Sequence, residues 1–370
     1  MRMDFDKLKK RNSFELQNLK AEGKPIVGTF CTYSPKELIY AAGGVAVSLC
    51  ANDESPINIA HKELPRNLCP LIKASYGYAV SKKCPYMNAS DIIVGETTCD
   101  GKKKMYELLA NHKPVYVLEL PNMTNKRSLA LWKDELISFK EFLQEKFKAK
   151  ITQENLLEAV KIQNEERELM CELMELNKAI PSPIKGSELH EILFASEFIY
   201  DKKEKIKTLK AFIEATKQNL EAKISDKKRI IITGCPSGGV YEKIIKQIEN
   251  LGADVVAFEN CVGTKNYRNL VEEKGNLIEN IAKRYLEIPC SVMYKNDKRA
   301  QIIKEFIKEY SADGVIDIVL SGCHTYAIET NKIREASKEA GANYMSLETD
   351  YSRQDSGQIR TRLEAFIELL

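Results

Sequence analysis

The sequence predicts an α/β protein of two open parallel-sheet domains, doubly wound in the Rossmann or flavodoxin manner and joined by a helical connector. Short β-branched runs alternate with longer amphipathic stretches in the first third of the chain. The same alternation returns in the last third, and long charged helices fill the middle. At 370 residues the chain is long enough for more than one core.

A helical lead-in is expected over residues 5–19. Strands follow at 25–30, 44–49, 91–95 and 114–120, each an Ile/Val-rich run bounded by turn residues, with helices at 35–42, 64–80 and 102–111 between them. This makes residues 1–124 the first domain. Residues 125–227 read as the connector, with helices at 128–147, 153–177, 188–200 and 205–222 interrupted by the proline-rich segment I-P-S-P-I-K-G at 180–186. Residues 228–370 form the second domain, with strands at 229–233, 254–259, 314–320 and 343–347. Its helices are expected at 240–251, 276–286, 297–310, 326–340 and 357–369.

With 56 Lys+Arg against 53 Asp+Glu, the formal charge is only +3, so bulk charge gives no support to nucleic-acid binding. The N-terminal ten residues carry charges where a signal peptide needs its apolar centre, and no run of about 18 apolar residues occurs. A cytoplasmic location without membrane attachment is therefore expected.

Ten cysteines are many for a reducing compartment, where structural disulfides are disfavoured. Cys31, Cys50, Cys99, Cys235, Cys261 and Cys323 each follow a predicted strand, where open parallel sheets bind ligands. Cys69 and Cys84 lie beside helix ends, each followed by proline. Cys99 precedes D-G-K-K-K at a helix start, where the dipole and the lysines favour a thiolate. Cysteine also packs as a small apolar residue, the reading given to mid-helix Cys171 and to Cys50 and Cys290. With no C-x-x-C pair and only four histidines, zinc is not supported, whereas soft thiolates spread singly over two domains suit an iron–sulfur cluster in the cleft.

Other chemistries find little footing. G-C-P-S-G-G at 234–239 is neither a dinucleotide fingerprint nor a P-loop, so ATP would be handled by a partner. His324 is a donor to the site or a surface residue, and Glu348 and Asp350 are proton donors or helix-capping groups.

The strings N-L-C-P-L-I-K at 67–73, K-C-P-Y at 83–86, T-T-C-D-G-K-K-K at 97–104, G-C-P at 234–236 and G-C-H-T-Y at 322–326 resemble the 2-hydroxyacyl-CoA dehydratase D-component superfamily. Within it the chain is most similar to the double-cubane cluster proteins, a branch of ATP-dependent anaerobic reductases. The resemblance implies a [4Fe-4S] cubane on Cys69, Cys99 and Cys323. The branch implies a second, sulfide-bridged cubane, with three more thiolates drawn from Cys31, Cys84, Cys235 and Cys261. Cys84 and Cys235 are preferred because the dehydratase pattern lacks their motifs, and the choice between Cys31 and Cys261 stays open. It further implies a homodimer, a small-molecule substrate and an ATP-hydrolysing activator carrying its own [4Fe-4S], with Lys102 offsetting the cluster's charge. A single cubane in a dehydratase subunit is the alternative, and a non-enzymatic electron carrier or cluster scaffold is the third reading.

Overall fold

The computed structural model describes residues 5–219 and 225–370, with side chains from residue 13 onward. Eight strands form two all-parallel sheets. In the first, β1 (Ile26–Thr29), β2 (Val45–Ser48), β3 (Ile92–Glu96) and β4 (Val115–Leu118) are ordered β2-β1-β3-β4. In the second, β5 (Arg229–Gly234), β6 (Asp254–Glu259), β7 (Gly314–Leu320) and β8 (Asn343–Thr349) repeat that order as β6-β5-β7-β8. The expected fold class is the observed one, and the eight strands lie within two residues of their expected bounds.

Helices differ more. The expected helix at 64–80 begins instead at Pro70 and runs Pro70–Ser81, because proline is tolerated in the first turn but not inside a helix, and Cys69 becomes the capping residue. The short helices Ile57–Ala60, Pro85–Ala89 and Thr264–Tyr267 were not expected, since four or five residues carry no readable period. The helix Lys202–Gln218 matches the last connector helix, and residues 220–222 of its expected span lie outside the described residues. Among the described residues no helix is long and apolar enough to cross a membrane.

Alternate residues of each strand enter different cores, as the two-residue repeat of a strand requires. Ile26, Val45 and Ile93 of the first sheet share one core with Ile230, Val255 and Ile316 of the second, and with Met170, Leu173 and Leu189 of the connector. Val27, Ile92 and Val94 face the other way, onto Trp132, Phe139 and Val160. Ile231, Val256 and Val315 pack beneath Ile303, Phe306 and Ile333. The two sheets thus share one core with the helices between them, and segments beyond their strand ends line a common space.

Candidate metal centre

Both sheets reverse strand order at their centre, between β1 and β3 and between β5 and β7, and an open α/β sheet forms its crevice outside the carboxyl ends at such a reversal. A cavity of about 590 Å³ lies there, lined by residues from both sheets and from the connector. Eight cysteines reach its wall. Cys31, Cys50, Cys99, Cys235, Cys261 and Cys323 follow β1, β2, β3, β5, β6 and β7, Cys69 caps the helix at Pro70, and Cys290 lies beyond the helix Leu277–Leu286.

Cys69, Cys99, Cys235 and Cys323 make one neighbourhood. Burial pushes the Cys69 thiol up to about 12, and like-charge repulsion from Cys323 and Cys99 adds to it, against the amides of Leu71 and Ile72. Burial raises the Cys235 thiol well above its ordinary range, whereas hydrogen bonding from Cys235 holds the Cys323 thiol down to about 6, aided by the Tyr326 amide and the Thr325 hydroxyl. Two glycines permit this convergence. Gly322, at φ +79°, lies so close to the first half that a Cβ there would stand 2.8 Å from the Asn67 carbonyl oxygen and 3.0 Å from the Cys69 nitrogen. Gly234, at φ +97°, turns the chain into Cys235, whose amide donates to the Ile318 carbonyl at 2.8 Å.

Cys31, Cys261 and Cys290 make the second neighbourhood. Burial raises Cys31 well above the thiol range; Lys102 opposes this, and Glu96, Cys261 and Cys290 reinforce it. Burial also pushes Cys261 up to about 12, against Lys265, with repulsion from Cys290 and Cys50. The Tyr33 hydroxyl donates to the Ile288 carbonyl at 2.8 Å, tying the loop of Cys31 to that of Cys290 across the molecule. Cys50 stands between the groups. It neighbours Cys261 on one side, and on the other Tyr351 feels it together with Cys69 and Cys235.

Buried polar networks hold the strand ends of the second sheet. Arg299, fully buried, reaches Glu259 and Thr233 at the ends of β6 and β5 and Asp317 in the middle of β7, and also pairs with Glu329. Lys265 donates to the Tyr326 hydroxyl at 2.8 Å. The Ser237 hydroxyl meets His190 Nε2 at 2.9 Å and accepts from Asn260 Nδ2 at 3.2 Å, joining the loop of Cys235 to that of Cys261. Burial holds His190 down to about 3, so this ring stays neutral.

Lys102 lines the cavity and donates to the Phe30 carbonyl at 3.2 Å, which also accepts from the Cys50 thiol at 2.7 Å. Burial opposes its charge, but Tyr106, Cys31, Cys50 and Glu96 hold the Lys102 ammonium well above its ordinary range. His324 is exposed and lines the mouth of the cavity. Glu348 is exposed near the end of β8 and does not line the cavity, because the two-residue repeat puts it on the solvent side of its strand. Asp350, paired with it at the sequence level, accepts from the Ser352 amide at 2.7 Å.

Cys84 is not among the residues lining this cavity. Its sulfur accepts from the Met87 amide at 3.4 Å at the head of Pro85–Ala89, and its titratable neighbours are the phenols of Tyr78, Tyr86 and Tyr200 rather than other thiols. Cys50 and Cys290, read as packing residues from the sequence, are on the wall. Lys36 and Glu197 line it too; Lys36 lies in the F-C-T-Y-S-P-K-E-L string at 30–38, which also carries the family resemblance, and no motif marked Glu197.

The sequence model of the family described as 2-hydroxyglutaryl-CoA dehydratase, D-component, matches residues 31–370. The chain belongs to that family. It is 42% identical over 370 residues to the "Putative dehydratase subunit YjiM" of Escherichia coli K12, covering 99% of this chain and 97% of that protein. It is 24% identical over 383 residues to the (R)-phenyllactyl-CoA dehydratase beta subunit of Clostridium sporogenes, covering 99% and 98%. To a subunit of benzoyl-CoA reductase from Thauera aromatica it is 22% identical over 347 residues, covering 91% and 88%. The family thus spans dehydratase and reductase subunits, and this member is an enzyme component of the same kind.

Proposed function

We propose that this chain is the catalytic component of a low-potential reductase that carries two iron–sulfur cubanes in the central cavity and reduces a small molecule. The supporting observation is the division of the wall thiols into two neighbourhoods. Cys69, Cys99 and Cys323, with Cys235 beside them, would hold one cubane, and Cys31, Cys261 and Cys290 the other, with Cys50 between. The donor set fits the group. Soft sulfurs predominate, Lys102 offers a countercharge, and among the described residues no three His, Cys, Asp or Glu side chains converge to hold a single ion. Sulfurs spread around a space suit a polynuclear body better than a lone metal.

Buried thiols pushed up by desolvation are poor anions alone, and bound iron would supply the positive charge that deprotonates them. Such a group would accept and release single electrons at low potential. The chain's own part would be to bury it, to seat Lys102 against its charge, and to keep the cavity closed to bulk water. A partner that hydrolyses ATP and carries its own [4Fe-4S] would supply the electrons, since the chain carries no P-loop. A homodimer in the cytoplasm completes the reading. The dehydratase names of two of these relatives favour a second one, a subunit removing water from a 2-hydroxyacyl-CoA. The number of wall thiols exceeds what a single cubane uses.

Anaerobic purification with iron and acid-labile sulfide analysis separates these readings. About eight iron atoms per chain is the expected result, and about four would favour the single-cubane dehydratase. Zinc, or no metal, would overturn both.

A further inference from the structure

The cavity wall carries an ion pair that the thiol set does not use. Lys36 Nζ donates to Glu197 Oε2 at 2.5 Å, with the two side chains 16% and 18% exposed. Three regions of the chain fix it. Lys36 opens the helix Lys36–Ala41 in the first half, and Glu197 closes the connector helix Gly186–Ser196. From the second half, the Tyr267 hydroxyl and Asn266 Nδ2 donate to Glu197 Oε1 at 2.6 and 3.1 Å.

Behind the pair lie Glu166 with Lys202 and Lys205, and Tyr40, whose ring faces Lys202. Burial would raise Glu197, but Lys36 and Lys205 hold it down to about 2, against repulsion from Glu166. A buried ion pair adds little net stability, so its seat on a cavity wall calls for another use. The pair lies within electrostatic reach of the thiols, since Glu197 adds to the rise at Cys50. The other proton carriers on the wall are engaged elsewhere: Lys102 on the Phe30 carbonyl, Lys103 on Asp100, the Tyr326 hydroxyl with Lys265, and His324 out at the exposed mouth.

We propose that Lys36, positioned by Glu197, is the proton donor to the molecule reduced in this cavity, a small substrate with a multiple bond or a nitrogen–heteroatom bond. This rests on the reductase reading above. In a two-electron reduction, X=Y takes two electrons and two protons to give HX–YH, and a nitrogen–heteroatom single bond N–Y takes the same and breaks to N–H and H–Y. The electrons arrive from the low-potential donor protein by way of the iron–sulfur group. An N–H bond of the Lys36 ammonium breaks as each new bond to hydrogen forms, and the neutral amine regains its proton from water. Glu197 keeps the ammonium turned to the cavity and stabilises its charge between turnovers.

The test uses anaerobically purified full-length chain and its Lys36→Met, Lys36→Arg and Glu197→Gln variants, all supplied with electrons by titanium(III) citrate, and two oxidants. Oxidised benzyl viologen takes one electron and no proton, whereas acetylene needs two of each. Iron per chain and the rate of re-oxidation by the viologen are expected to match the parent within about twofold in all three variants. Lys36→Met is expected to slow acetylene reduction by about 100-fold, and Lys36→Arg, which keeps the charge but does not give up a proton, to slow it about as much; recovery of the parent rate in Lys36→Arg would overturn the proton-donor role. A second readout needs no turnover. Acetic anhydride labelling of Lys36, followed by peptide mass spectrometry, is expected to rise several-fold at fixed pH in Glu197→Gln, because the amine is no longer held against the Glu197 carboxylate. Equal acetylene rates in the parent and Lys36→Met at equal iron content would overturn the inference alone, as would unchanged labelling. A parent chain that holds no iron would overturn the reading beneath it.

Discussion

A thiol one to three residues beyond a parallel strand is delivered to the crevice whatever its neighbours are, and six of the eight wall cysteines arrive in that way. That much was legible residue by residue, because strand position carries it. Cys290 was not legible. It follows a helix, and the Tyr33–Ile288 hydrogen bond that brings its loop to the wall spans most of the chain. Cys84 misled for the opposite reason: its proline neighbour resembles that of Cys69, but a following proline says where a helix starts and not which way a sulfur faces. Substitution should sort these residues by position. Cys99→Ala, Cys323→Ala and Cys290→Ala are expected to lose most of their iron, and Cys84→Ala and Cys171→Ala to keep it, as read by iron per chain after anaerobic purification. Equal retention in all five would contradict the assignment.

At the scale of elements, the strands were read more faithfully than the helices. Fully buried parallel strands announce themselves as continuous Ile/Val runs, whereas helix starts depend on local capping that a proline can shift by six residues, as at Pro70. The end of β3 carries a titration that neither pattern shows. Burial raises Glu96 to about 7, with Lys102 and the Ser34 hydroxyl, which donates to Glu96, pulling the other way. An unfolded glutamate titrates near 4.3. Between these values the folded chain holds a proton that the unfolded chain has released, so stability falls as pH rises from about 4.3 to about 7 and then levels off. The change is on the order of 3 kcal/mol for the metal-free chain. Urea unfolding at stepped pH checks this, and Glu96→Gln is expected to remove that slope. A slope unchanged in the variant would place the titration on another group.

The whole molecule adds what no single element holds. Two sheets of the same strand order meet through one shared core, so their reversal points face a common cavity, and the connector closes its side with Phe194 and Glu197. The two α/β layouts were legible because each repeats a local pattern. The sorting of thiols into two neighbourhoods was not, because it depends on approaches between halves, such as Gly322 against Cys69. That sorting is the claim on which the functional reading stands. Anomalous diffraction at the iron edge, from crystals of the anaerobically purified chain, tests it most directly. Two iron-containing peaks are expected in the cavity, one against Cys69, Cys99 and Cys323 and the other against Cys31, Cys261 and Cys290. A single peak, or iron lying away from these sulfurs, would contradict it.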